Sequence, residues 1–181
     1  MVEHWDDRLP LVQGTDDLQC YRDHEFTEFQ AYDPDDAGKL DDLLGGLERS
    51  DYVILSTNRL YNTIPRLPER YPLTSRYYDL LLGERLGYEL VYYAAVYQQL
   101  FGVRLVNDTF SDPHLPRPRL LAEGEASYVS INLGRADESF TVYDHPKPLV
   151  FRKTRQLSRE ALLGLFGDAA QNLTDREPEA E

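Results

Sequence analysis

Two rhythms of apolar positions run through this chain, one helical and one strand-like. The helical rhythm is clearest where Leu40, Leu43, Leu44 and Leu47 recur at three- and four-residue spacing, the stripe of a helix that buries one face. Asp33 followed by Pro34 offers an N-cap and a proline at the first helical position. Asp35 and Asp36 add negative charge at the positive end of the helix dipole, and Gly45-Gly46 weakens the helix near its end. A second helix is expected through Tyr77, Tyr78, Leu80 and Leu81, with Thr74 as its N-cap. A third follows Ser158, with Leu162, Leu163, Leu165 and Phe166 on one side.

The strand-like rhythm is β-branched and aromatic. Tyr52-Val53-Ile54-Leu55 is a short unbroken apolar run, which predicts a strand buried on both faces. Within residues 21–32 the second half alternates, Phe26, Glu28 and Gln30 against Thr27, Phe29 and Ala31, as an exposed strand does. Residues 88–97, YELVYYAAVY, favour a strand entered from Gly87, although the alanines allow a helix. Residues 101–106 are a further short candidate, and 128–133, YVSINL, alternate again. Residues 140–143 and 149–152 flank Asp144-His145-Pro146-Lys147-Pro148 and read as a hairpin with a proline-stiffened turn. Residues 1–20 read as a strand remnant followed by loop, and 107–119 as a proline-rich loop. The order of these elements predicts an α/β fold. It is expected as a single domain over residues 1–167, with a mixed β-sheet, helices packed on its faces and a C-terminal β-hairpin plus helix. From Asp168 the chain turns polar and acidic, so 168–181 is expected to be a disordered tail.

The strand at 52–55 and the helix after Pro72 enclose a polar stretch punctuated by Pro65 and Pro68. It carries Asn58, Arg59, Tyr61, Arg66 and Arg70, with Arg76 close behind. In open α/β sheets ligands bind in loops beyond the carboxyl ends of the strands. Guanidinium groups fork onto phosphate or carboxylate, and tyrosine rings stack on sugars. Those six residues are therefore the candidate substrate-binding set. The competing reading is that the arginines neutralise the protein's own acidic surface and pin the loop.

Composition narrows the partners. With 181 residues, one domain with a proper core is expected. The formal charge of −13 argues against nucleic acid as a partner, because phosphate binding needs a basic surface or stripe. A single cysteine, Cys20, leaves no internal disulfide and no multi-cysteine zinc site. The thirteen tyrosines cluster at 71–78 and 88–97, which suits half-buried strands, interfaces and sugar-binding surfaces alike. No apolar leader follows Met1, and no run approaches the roughly 20 apolar residues needed to span a bilayer. The abrupt start at Val2 predicts a piece of a longer protein. No GxGxxG or Walker sequence is present, which argues against nucleotide binding, and no cofactor is expected.

Little else suggests chemistry. His4, Asp6, Asp7, Asp108, Asp112 and His114 are weak metal candidates, as is Asp144-His145, which would equally serve as an acid/base pair. Their spacing matches no defined motif, and turn and loop roles account for them. No serine lies in a nucleophile-elbow context, and Cys20 has no activating neighbourhood.

Four segments together resemble one family: HWDDRLPL at 4–11, DYVILSTNRLYNTIPRLPERYPLTSRYYDLL at 51–81, FGVRLVNDTFSDP at 101–113 and INLGRADESFTVYDHPKPLVFRK at 131–153. They are similar to the C-terminal extracytoplasmic region of polytopic membrane glycosyltransferase-like proteins of Chloroflexi-type bacteria. These are the dolichyl-phosphate-mannose protein mannosyltransferase-like proteins and the related YYY membrane proteins. The resemblance implies a non-catalytic module on the extracytoplasmic face of the cell membrane. Its partner would be the membrane-embedded part of the same polypeptide, and it would help to position a glycan or a polyprenyl-phosphate sugar. The family's catalytic acidic residues lie near its first transmembrane helices, so none is carried over to this chain. Two alternatives stand beside this reading: a free-standing interaction protein with a Tyr/Arg-rich surface, and a small metal-dependent hydrolase.

Overall fold

The computed structural model describes residues 1–3, 27–107, 110, 115–134, 136 and 146–174. Its main sheet has five strands: β1 (Val2–Glu3), β2 (Glu28–Phe29), β3 (Tyr52–Leu55), β4 (Tyr88–Tyr93) and β8 (Leu149–Lys153), in the order β2-β1-β3-β8-β4. The β1 strand runs parallel to β2 and β3, while β8 is antiparallel to both of its neighbours, β3 and β4. The carboxyl ends of β1 to β4 therefore share one edge, where β8 begins. A mixed sheet is thus present. The first arm of the expected C-terminal hairpin lies outside the described residues, while its second arm is β8 at the heart of the sheet.

One face of the sheet is covered. Phe29, Val53, Leu55, Tyr88, Leu90, Leu149 and Phe151 are buried, whereas Tyr52 and Arg152, which alternate with them, are exposed. The β3 strand is therefore buried on one face and not on both. On the covered side lie α1 (Ala37–Arg49) and α3 (Pro72–Leu82), and both α5 (Arg159–Phe166) and α6 (Asp168–Thr174) pack on that pair and on each other. The leucine stripe of α1 is buried as its spacing predicts. Each such leucine removed from water contributes about 1.5–3 kcal/mol.

The helix ends differ from expectation in an informative way. The N-cap of α1 is Asp36, whose side chain accepts from Lys39 N at 2.7 Å, so the helix begins after the Asp33-Pro34 pair. Thr74 does not cap α3, which starts at Pro72. Instead Asp35 accepts from the backbone of Leu73 at 2.7 Å and from the Thr74 hydroxyl at 2.8 Å. It also pairs with buried Lys39 at 2.9 Å. Lys39 Nζ donates in addition to the carbonyls of Ala31 and Asp33. One carboxylate thus ties the start of α1 to the start of α3. The caps of α5 follow the sequence reading, with Ser158 accepting from Ala161 N. Beyond it, α6 replaces the first half of the expected disordered tail and buries Ala170 and Leu173. Residues 175–181 lie outside the described residues.

The expected loop after β3 is largely helical, as α2 (Arg59–Thr63) and a 3-10 turn at Ile64–Arg66. Past β4, the strands β5 (Gln98–Leu100), β6 (Val103–Val106) and β7 (Ser130–Asn132) form a second, three-stranded sheet. Phe101 and Gly102, both at positive φ, make the β5–β6 turn. The β6 and β7 strands run parallel and are joined through α4 (Arg119–Ala126), which makes a small βαβ unit. No helix among the described residues is long and apolar enough to cross a membrane.

Candidate functional site

The six residues of the predicted binding set are not gathered at one surface. Tyr61 is buried, and its hydroxyl donates to the Lys147 carbonyl at 2.7 Å. Asn58 and Asn62 lie one turn apart, buried, and neither side-chain amide has a hydrogen-bond partner among the described residues. Arg59 is half-buried, while Arg66 and Arg70 are exposed, Arg70 lying over the Tyr71 ring at 5.2 Å. Arg76 is taken up by the fold: it donates to the Leu165 carbonyl at 3.1 and 3.0 Å and pairs with Asp79 at 2.6 Å, fastening α3 to α5. His4, Asp6, Asp7, Asp108, Asp112, His114 and the Asp144-His145 pair all lie outside the described residues. Among the described residues no three His, Cys, Asp or Glu side chains converge to hold a metal ion.

A pocket of about 310 Å³, open on one side to solvent, lies between α4 and the β6–β7 pair. That is the low end of the range for small-molecule sites. Arg104 and Val106 of β6 and Ser130 and Asn132 of β7 form its floor, and Ala122, Glu125 and Ala126 of α4 its roof. Tyr97, Arg117 and Tyr128 complete the wall. The space between helix and sheet in a βαβ unit is normally apolar. Here the polar residues of both strands turn toward the helix, while Leu100, Val129, Ile131 and Leu133 are exposed.

The polar groups are held in order. Lys147, only 3% exposed, donates to the Tyr97 hydroxyl at 2.6 Å, and Tyr97 donates to Glu125 Oε1 at 3.1 Å. Arg117 Nη1 bonds Glu125 Oε2 at 2.9 Å, and its other nitrogens hold the Phe110 carbonyl. The chain Tyr61–Lys147–Tyr97–Glu125–Arg117 therefore links the carboxyl edge of the main sheet to the cavity. Arg104 differs. Its guanidinium carbon lies over the Tyr128 ring at 3.1 Å and near the Tyr97 ring at 5.4 Å, and its buried Nε has no acceptor among the described residues.

The arrangement supplies cations, one carboxylate, ring faces and hydroxyls, and this is recognition chemistry. Sequence reasoning missed these residues because α4, RLLAEGEA, is only eight residues long, buries only Leu121 and directly follows a stretch that reads as proline-rich loop. The usable signal was Arg104 itself, a charge within the apolar run VRLV. A second unread group is Glu3, on the helix-covered face of β1. Burial raises its carboxyl pKa to about 8, and the nearby Tyr78 and Tyr77 hydroxyls offset part of that rise. Glu3 Oε1 and both phenol oxygens nonetheless lack a well-formed hydrogen bond, which leaves desolvation the dominant effect.

Neither a family model, nor a curated protein, nor a solved structure matches this chain.

Proposed function

We propose that this chain is a non-catalytic extracytoplasmic module of a membrane-bound glycosyltransferase-like protein, and that it holds a glycan or lipid-linked sugar in the cavity of its βαβ unit. The observation that carries the proposal is the cavity's lining, where tyrosine faces and hydrogen-bonding side chains replace the apolar filling such a unit needs for stability alone. Rings that stack on sugars and polar groups that meet hydroxyls are the ordinary means of saccharide recognition. The four resembling segments supply the membrane context. The test is a binding screen of the 181-residue chain against saccharides and polyprenyl-phosphate sugars, run with two variants. Tyr128→Ala is expected to weaken binding about fivefold, in line with the roughly 1 kcal/mol of a lost ring contact, while the Arg66→Glu/Arg70→Glu pair leaves it unchanged. The opposite pattern would move the site to the segment between β3 and α3. No binding at millimolar ligand would remove the reading.

A second reading, a free-standing interaction protein, is favoured by the outer face of the small sheet. Leu100, Val129, Ile131 and Leu133 are exposed there, and Phe101 at the β5–β6 turn is 98% exposed. Contiguous apolar surface of this kind marks contact sites. Sedimentation across a concentration series tests its self-association form: a dimer abolished by Phe101→Ser and Ile131→Ser supports it, and a monomer throughout removes it.

A further inference from the structure

The geometry points to an acidic sugar, one bearing a phosphate or a carboxylate, as the ligand of the βαβ cavity, with its anion on Arg104, Ser130 and Asn132 and its hydroxyls turned to Glu125. This rests on the reading of the cavity as a saccharide site.

Two of the three cations in and beside the cavity are already engaged. Lys147 is taken by Tyr97, and Arg117 by Glu125 and the Phe110 carbonyl. Arg104 alone among these cations is held only by ring faces, at 3.1 and 5.4 Å, with a buried Nε that bonds nothing among the described residues. A buried donor without an acceptor is costly, and here contact with two ring faces restricts the guanidinium before any ligand arrives. A phosphate or carboxylate is the acceptor that fits such a fork bidentately.

Two more donors stand beside it. Ser130 is the register partner of Arg104, and Asn132 pairs with Val106, on the same cavity floor. The Asn132 Oδ1 already accepts from Gly134 N at 2.8 Å, which leaves its NH₂ group as the part that can donate. Arginine, hydroxyl and amide thus form a donor row along one wall. Among the described residues that line the cavity, the cations Arg104 and Arg117 meet one carboxylate, Glu125, which Arg117 already pairs with. Glu125 faces the row from α4 and is suited to accept from sugar hydroxyls.

Titration calorimetry of the full chain with glucose, glucose 1-phosphate, glucuronate and inorganic phosphate tests this. Expected is binding of one or both acidic sugars at least tenfold tighter than glucose or phosphate, weakening as salt rises. The stronger of the two tells phosphate from carboxylate. Arg104→Gln should bring the acidic sugars down to the affinity of glucose while glucose itself is unchanged, and Arg104→Lys should fall between. Circular dichroism of each variant verifies that it is folded, and Ser130→Ala, a milder change on the same wall, should lower only acidic-sugar binding. Glucose binding as tightly as the acidic sugars, or an Arg104→Gln variant that keeps the preference, overturns the inference and leaves the saccharide reading standing. Phosphate binding as tightly as glucose 1-phosphate overturns the sugar part. Failure of all four ligands overturns both.

Discussion

Glu3 illustrates how one side chain sets a property of the whole protein. It points into the apolar layer between β1 and α3, beside Tyr77 and Tyr78, and burial lifts its pKa from 4.5 to about 8. The folded state therefore holds a proton that the unfolded chain releases near pH 4.5. By linkage, the stability from this group is fully present below pH 4.5 and is lost as the pH rises toward 8. Glu3→Gln mimics the neutral acid in shape and cannot ionise. The variant should match the parent near pH 4.5 and exceed it at pH 8 by on the order of a few kcal/mol. Urea midpoints at the two pH values measure this, and parallel pH profiles would sink the account. Nothing in the pair Val2-Glu3 announced it, because alternation says only that the two side chains oppose each other. Which of them faces α3 depends on β1 pairing with β2 and β3, contacts that lie 26 and 52 residues away along the chain.

At the scale of elements, legibility followed local redundancy. The α1 stripe of Leu40, Leu43, Leu44 and Leu47 repeats one message four times, and the Ser158 cap of α5 sits directly before its helix. Both were readable. The α2 helix was not: five residues holding one buried asparagine, with a second at the N-cap and Pro65 just beyond, present a loop's chemistry. The start of α3 was missed because its capping carboxylate, Asp35, comes from the α1 side of the sequence. The α6 helix was hidden by its acidic surroundings, since among its described side chains only Ala170 and Leu173 are buried in the core. Those two residues make α6 testable. A chain ending at residue 167 loses their burial and uncovers part of α1 and α3, at a cost of about 2–4 kcal/mol. Thermal unfolding of this truncation should show a clearly lowered midpoint. An unchanged midpoint would restore the tail reading for the whole of 168–181.

Across the molecule the two sheets are built for different ends. The main sheet lies under four helices and a continuous apolar core. The small sheet carries its polar residues inward over a cavity, and every residue of β5 and β7 is exposed. Local opening is easiest where few apolar contacts are buried and backbone bonds face solvent. Amide hydrogen exchange should therefore be fast in β5, β6 and β7 and slow in β3 and β8, whose amides open only with global unfolding. Ligand binding to the folded state adds protection where it closes the site. Saturating acidic sugar should accordingly slow exchange in β6, α4 and β7 and leave β3 and β8 unchanged. Equal protection of the two sheets without ligand would mean that the βαβ unit is a fully packed part of the core and its cavity no more than a packing defect. Ligand protection falling instead on α2 and the Ile64–Arg66 turn would place recognition at the carboxyl edge of the main sheet, where Asn58 and Asn62 hold their unmatched amides.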